Sequence, residues 1–262
     1  MKGTGEVRIL SLGAGVQSST IALMMKHGEI EPVEAAVFAD VRAEPRRVYE
    51  WLDWLEKQLP FPVIRVCQSD GLTANIEAYK NGHAKRASCP PLFTIGRDGK
   101  LAAIRRQCTR DFKLAPIRRA VRKIAAGRRV VQVIGISSDE SRRARVSDVG
   151  YISNEYPLIE KGMTRSDCKA WMFRNFYSTP PRSACVYCPY KCDAEWRLLR
   201  DDDPQGFAEA VRMDALMRRV PHMEGETFVH RSLVPLSEVD LTTDEDRGQL
   251  TFSFDCEGMC GV

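Results

Sequence analysis

From residue 8 to residue 136 the chain alternates short apolar runs with stretches of helical periodicity, and this alternation restricts the fold more than any other feature. Residues 8–12 read as a first strand. Residues 17–26 read as a helix opened by Gln17-Ser18-Ser19-Thr20 and closed by Gly28. Residues 34–39 give a second strand ending at Asp40, and residues 47–59 a helix with Tyr49, Trp51, Leu52 and Leu55 on its apolar side. A third strand (61–66), a helix (72–79), a Pro/Gly-marked loop (80–100), a helix (113–126) and a fourth buried-type strand (130–136) follow. Strands that are apolar throughout are buried on both faces. The fold class expected is therefore α/β, a parallel twisted sheet with helices on both faces. Residues 193–241 read as a helical appendage with helices at 195–199 and 207–219, the second preceded by Asp201-Asp202-Asp203-Pro204, a capping signal.

With 262 residues, 44% hydrophobic and 28% charged, the chain can bury a full core. No apolar run is long enough to span a bilayer, so no membrane partner is expected. Met1-Lys2-Gly3-Thr4-Gly5 opens no signal peptide, and the expected location is cytoplasmic. Nine cysteines in a reducing compartment read as metal binding or redox chemistry before they read as disulfides. The net charge is only +4, but Arg105-Arg106, Arg110, Lys113, Arg118-Arg119, Arg122-Lys123, Arg128-Arg129 and Arg142-Arg143-Arg145 concentrate positive charge. These are either solvated helix faces or contacts to a charged nucleotide or a nucleic-acid backbone. Charge alone does not separate the two.

In an open parallel sheet, ligands sit beyond the carboxyl ends of the strands. That places the 11–19 loop, Asp40 and the segment after Ile136 at one rim. Gly13-Ala14-Gly15-Val16-Gln17-Ser18-Ser19 sets small residues and hydroxyls at a strand-to-helix turn, which is either an ordinary tight turn or an anion site. No Gly-Lys-Ser/Thr follows, so it is not a Walker loop. It resembles the Ser-Gly-Gly-x-Asp-Ser/Thr loop of the PP-loop ATP pyrophosphatases, a superfamily that includes adenylating thiolases and the phosphoadenosine phosphosulfate (PAPS) reductase-like family. Gly15, Ser18 and Ser19 keep their places, while Gly13, Ala14 and Gln17 stand where that family has Ser, Gly and Asp. Asp40, followed by Glu44-Pro45, is similar to the family's second-strand segment. Gly135-Ile136-Ser137-Ser138-Asp139-Glu140-Ser141-Arg142-Arg143 resembles its Gly-Ile/Leu-Arg-x-x-Glu/Gln-Ser segment, with Ser137 in place of the Arg. Tyr156-Pro157-Leu158, with Met163, Asp167 and Trp171 downstream, is similar to a further element. The resemblance covers about residues 6–200.

Cys108-Thr109-Arg110-Asp111-Phe112-Lys113-Leu114-Ala115-Pro116 is similar to the reductases' Cys-Cys-x-x-x-Lys-x-x-Pro segment, with Thr109 at the second cysteine. Cys185-Val186-Tyr187-Cys188-Pro189 supplies a Cys-x-x-Cys pair. Thiolates suit zinc and iron-sulfur clusters alike. The resemblance implies a [4Fe-4S] cluster on Cys108, Cys185 and Cys188, its fourth ligand being Cys192, Cys256, Cys260 or none. Structural zinc is the other reading. Cys67 is expected in the core, and Cys89 and Cys168 have no partner at ligand spacing. Cys260-Gly261-Val262 resembles the centre of the reductases' terminal Glu-Cys-Gly-x-His, with Met259 at the Glu and no His, so Cys260 is a candidate nucleophile, persulfide carrier or ligand.

The resemblance implies two parts: a nucleotide-binding α/β domain over 1–180, and a cluster-binding segment with helical appendage and cysteine tail over 181–262. It implies cleavage of ATP to AMP and pyrophosphate with Mg²⁺, followed by transfer of sulfur to an adenylated acceptor. Ser11, Gly13, Ala14, Gly15, Gln17, Ser18, Ser19, Asp40, Gly135, Glu140 and Arg143 are the expected adenine nucleotide contacts, and Lys113, Arg142 and Cys260 the expected catalytic groups. The implied partners are a sulfur donor such as a cysteine desulfurase and a nucleic acid acceptor, a tRNA base or a DNA backbone. The alternatives are a reductase that releases sulfite from adenylyl sulfate or PAPS, and a non-catalytic nucleotide and cluster-binding sensor.

Overall fold

The computed structural model describes residues 5–220 and 225–242, together with Asp246 and Gly248. Its strands are β1 Val7–Leu12, β2 Ala35–Asp40, β3 Val63–Cys67, β4 Phe93–Ile95, β5 Leu101–Ala103, β6 Val130–Ile134 and β7 Ile152–Glu155. Its α-helices are α1 Val16–Lys26, α2 Arg46–Gln58, α3 Leu72–Lys80, α4 Ala115–Ala125, α5 Pro157–Glu160, α6 Arg165–Arg174, α7 Asp193–Asp202 and α8 Pro204–Leu216. Among the described residues no helix is long and apolar enough to cross a membrane.

The chain forms two compact units. The first comprises, of the described residues, 5–40, 47–67 and 114–183. Its five-stranded sheet has the order β3-β2-β1-β6-β7, and every neighbouring pair is parallel. Apolar side chains cover both faces. Leu10, Leu12, Ala36 and Phe38 meet α1, α2 and α6 through Ile21, Leu23, Leu52, Leu55 and Met172. Val7, Ile9, Val37 and Ala39 meet α4 through Ile117, Val121 and Ala125. This is the expected parallel sheet with a helical layer on each side. Strand order reverses at β1, whose neighbours β2 and β6 lead to opposite edges, so the crevice beyond the ends of β1 and β6 is the topological switch point.

Of the described residues, the second unit comprises those in 41–46 and 68–113 and those from 184 onward. It includes the antiparallel β4-β5 hairpin, α3, α7 and α8, packed through Leu72, Ile76, Leu92, Tyr187, Trp196, Ala210 and Met213. The expected parts, 1–180 and 181–262, divide the chain differently from these units. Residues 68–113 belong with the C-terminal segment because their apolar side chains, Leu72, Ile76, Leu92 and Phe112, share its core. The appendage helices are present: α7 is longer than expected, and α8 has the expected length but starts three residues earlier. Asp203 caps α8, its side chain accepting from Gly206 N at 3.1 Å, which gives this member of the Asp triad a structural role.

Candidate functional site

In the first unit, β1 ends at Leu12 and α1 begins at Val16, leaving Gly13-Ala14-Gly15 to make the turn. Ala14 is fully buried with φ +55°, a left-handed conformation that costs a non-glycine residue roughly 1–2 kcal/mol. Gly13 N donates to Ser18 Oγ at 3.1 Å, and Ser18 Oγ donates to the Gly15 carbonyl at 3.4 Å, so the hydroxyl closes the loop on itself. Gly15 leaves α1 with no side-chain cap, and the first turn holds no acidic residue. The positive end of this helix is therefore not compensated from within, the arrangement that suits an anion.

Across the switch point, Gly135, Ile136 and Ser137 leave β6 and pass directly over this turn. Gln17 Nε2 donates to Glu140 Oε2 at 3.1 Å and to the buried Ser137 Oγ at 3.4 Å. Glu140 pairs in turn with Arg143 at 2.8 Å. Arg165, the first residue of α6, donates from Nη1 to Gln17 Oε1 at 2.9 Å. The sequence-expected residues Gly13, Ala14, Gly15, Gln17, Ser18, Gly135, Glu140 and Arg143 are thus gathered at one place. Arg142 is exposed on the same 3₁₀ turn, Ser138–Arg143. Arg165 was not singled out from the sequence. Its only local signal is its place directly after Thr164, whose capping box with Asp167 starts α6.

Three expected contacts serve the framework. Ser11 Oγ accepts from Gln132 Nε2 at 2.6 Å across the β1–β6 pair, and Asp40 Oδ1 accepts from Tyr49 Oη at 2.7 Å. Ser19, fully buried, accepts from Trp51 Nε1 at 3.0 Å. Ser19→Ala is expected to lower stability by about 1–3 kcal/mol, because it strands a buried indole N–H. Urea denaturation followed by tryptophan fluorescence measures it, and an unchanged midpoint would refute this bond's contribution.

In the second unit, Cys185 and Cys188 sit on one turn, Cys188 N donating to the Cys185 carbonyl at 2.9 Å. Their sulfurs share a hydrogen bond, and Cys108 is within electrostatic reach of both. That hydrogen bond, then burial, then the neighbouring sulfur charges hold the Cys185 thiol well above its ordinary range, against the pull of Lys191. Burial, followed by Cys188, raises Cys108 in the same way, opposed by Lys113, Arg106 and Thr109. Lys113 Nζ lies 3.3 Å from Glu44 Oε1, whose side chain is 0% exposed, while Lys113 keeps 32%. Burial depresses this ammonium, but Glu44 and the Cys185 and Cys188 sulfurs outweigh it and leave it raised.

The remaining cysteines divide by role. Cys192 Sγ caps α7, and Glu195 accepts from Cys192 N at 3.0 Å, which gives this candidate ligand a structural task. Cys168 is fully buried against Thr20 and is pushed up to about 12, chiefly by burial. Cys67 ends β3 and is half-buried, so it is not a core residue. A strand terminus at the sheet rim is only partly covered. Cys89 is buried and raised by burial and by Cys108. Cys256 and Cys260 lie outside the described residues. Among the described residues no three His, Cys, Asp or Glu side chains are grouped so as to hold a single metal ion. His230 accepts from Ser232 N at 3.2 Å and lies 2.7 Å from its hydroxyl and 3.0 Å from Asp193. These bonds tie the 230–233 turn to the first turn of α7.

No family model matches the chain, and no curated protein matches it. Among solved structures, it is similar to the phosphoadenylyl-sulfate (PAPS) reductase from Candida auris in its phosphate complex, with 15% identity and a TM-score of 0.46 over 68% of this chain and 76% of that chain.

Proposed function

We propose that this chain is a PP-loop type ATP pyrophosphatase that adenylates an oxygen on an acceptor and then places sulfur at the activated position. The observation that carries this reading is the uncapped, acid-free start of α1 at the switch point, with Ser18 closing the loop and the exit of β6 pressed against it. A site of this build favours a phosphate chain over a neutral ligand. The amides of Ala14 and Gly15 and of the first turn of α1 bind the phosphates, and Arg143 offsets their charge. Mg²⁺, when bound with the nucleotide, would supply further neutralisation of the phosphate charge. The acceptor oxygen attacks the α-phosphorus, the bond from that phosphorus to the bridging oxygen breaks, and its electron pair leaves with pyrophosphate. A sulfur nucleophile then displaces AMP from the acceptor.

Cys108, Cys185 and Cys188 are soft donors in a low-dielectric setting beside a cation, and that chemistry fits a [4Fe-4S] cluster, three of whose irons they would hold. Such a cluster supplies sulfur or electron transfer when bound. The protein's own part is to exclude water around the thiolates and to balance their charge with Lys113 and Lys191. The acceptor we assign is nucleic acid, for which the exposed Arg118, Arg119, Arg122 and Lys123 of α4 supply phosphate contacts, and the sulfur comes from a donor such as a cysteine desulfurase. Cys260 is the carrier or fourth ligand in this reading.

Anaerobically purified protein is expected to contain about four irons per chain and to release pyrophosphate from ATP faster when nucleic acid is added. Cys185→Ser is expected to lose most of that iron. Sulfite released from adenylyl sulfate or PAPS, with no pyrophosphate from ATP, would replace this reading by the reductase. Nucleotide and iron binding with neither turnover would replace it by the sensor.

A further inference from the structure

The first-unit site ends in a guanidinium that the expected nucleotide contacts do not include. The backbone of Arg165 is held on two sides. Thr164 and Asp167 form the capping box at the start of α6, and Arg165 N donates to Asp139 Oδ1 at 3.2 Å. Its side chain reaches the first turn of α1, where one donor is spent on Gln17 Oε1 at 2.9 Å. A guanidinium carries five N–H donors, and among the described residues the other four of Arg165 have no hydrogen-bond partner. Gln17 is the reason the charge stays available. Its amide oxygen takes Arg165 while its amide nitrogen serves Glu140 and Ser137, so the two ends of one neutral side chain bridge a cation and a carboxylate. An acidic residue at 17 would neutralise Arg165 and repel Glu140.

We propose that Arg165 is the residue by which this site distinguishes a phosphate chain from a single phosphate, with Gln17 holding its guanidinium in place. The inference rests on the nucleotide reading above. Anchored by one N–H, the guanidinium keeps its fork for oxygens of the terminal phosphates, a geometry that an ammonium reproduces only in part. AMP, which ends at its first phosphate, does not engage it.

Calorimetric titration of ATP and of AMP into the wild type, Arg165→Gln, Arg165→Lys and Gln17→Glu tests this, with thermal melting to show that each variant is folded. In the wild type, ATP is expected to bind more tightly than AMP. Arg165→Gln is expected to weaken ATP by about tenfold to a hundredfold while AMP changes by less than about threefold. Arg165→Lys should recover part of the loss, a pattern that a merely structural role would not produce. Gln17→Glu should lower the ATP-to-AMP preference with Arg165 still present, and it carries the test if Arg165→Gln does not fold. A folded Arg165→Gln that keeps the wild-type preference overturns the inference and leaves the nucleotide reading standing. A wild type that binds neither nucleotide overturns both.

Discussion

Replacing Lys113 by methionine is expected to lower the unfolding free energy by about 3–5 kcal/mol, because it withdraws the cation facing a carboxylate that has no access to water. The two partners are not equivalent. Glu44 has a side chain that is 0% exposed, whereas Lys113 keeps 32% of its surface and can rehydrate. Glu44→Gln, which retains a hydrogen-bonding group of the same shape, is therefore expected to cost less, about 1–2 kcal/mol. Urea denaturation of the metal-free protein at pH 7 gives both values, and equal losses would show that the asymmetry of burial is not felt. The pH dependence has a definite sign. Lys113 is raised in the folded protein, so its contribution is complete below the ordinary lysine value of about 10.5 and is lost only as pH rises through the higher folded value. The difference between wild type and Lys113→Met should be the same at pH 7 and pH 10 and should shrink in stronger alkali.

Gly135→Ala is the second large effect. A Cβ at this position would lie 2.8 Å from Ser18 N, 2.9 Å from Ser18 Cα and 3.2 Å from the Gln17 carbonyl carbon. All three atoms belong to the backbone of the first turn of α1, so no side chain can rotate out of the way. The helix start must move. Overpacking of this kind costs about 1–3 kcal/mol, and it displaces the amides that bind phosphate in the proposed reaction, so ATP affinity is expected to fall by more than about tenfold. Gly15→Ala is the matched control. Gly15 has φ −93°, and its Cβ would meet nothing within 4 Å, so its fold is expected to keep wild-type stability within about 0.5 kcal/mol. Wild-type nucleotide affinity in Gly135→Ala would show that the packing of β6 on this turn does not shape the site.

The sheet could be read from the sequence wherever a strand is covered on both sides. In β2 the first five residues are buried, and their unbroken apolar run needs no partner to be recognised. β1 and β6 are mostly apolar, interrupted at Arg8 and Ser11 in the one and at Gln132 in the other, and the helices between the strands are marked by period and by glycine. β7 was missed because it is an edge strand in which only Ile152 is buried, so Ile-Ser-Asn-Glu carries no run and no alternation long enough to register. The β4-β5 hairpin has three residues in each strand, below the length at which periodicity carries information.

The site divides along the same line. Local chemistry determined the small-residue turn at 13–15, the Cys-x-x-Cys pair and the cap at Asp203, because each is made by residues a few positions apart whose geometry follows from their types. Tertiary structure alone decided what the polar groups do. Ser18 and Ser19 are adjacent and chemically identical, yet one closes the loop and the other holds the indole of Trp51, 32 residues away. Lys113 meets Glu44 across 69 residues, and Arg165 meets Gln17 across 148. A sequence specifies burial through patterns that repeat over one or two turns. A hydrogen bond between distant side chains leaves no such pattern, since either partner is compatible with many neighbours until the chain has brought one of them within about 3 Å.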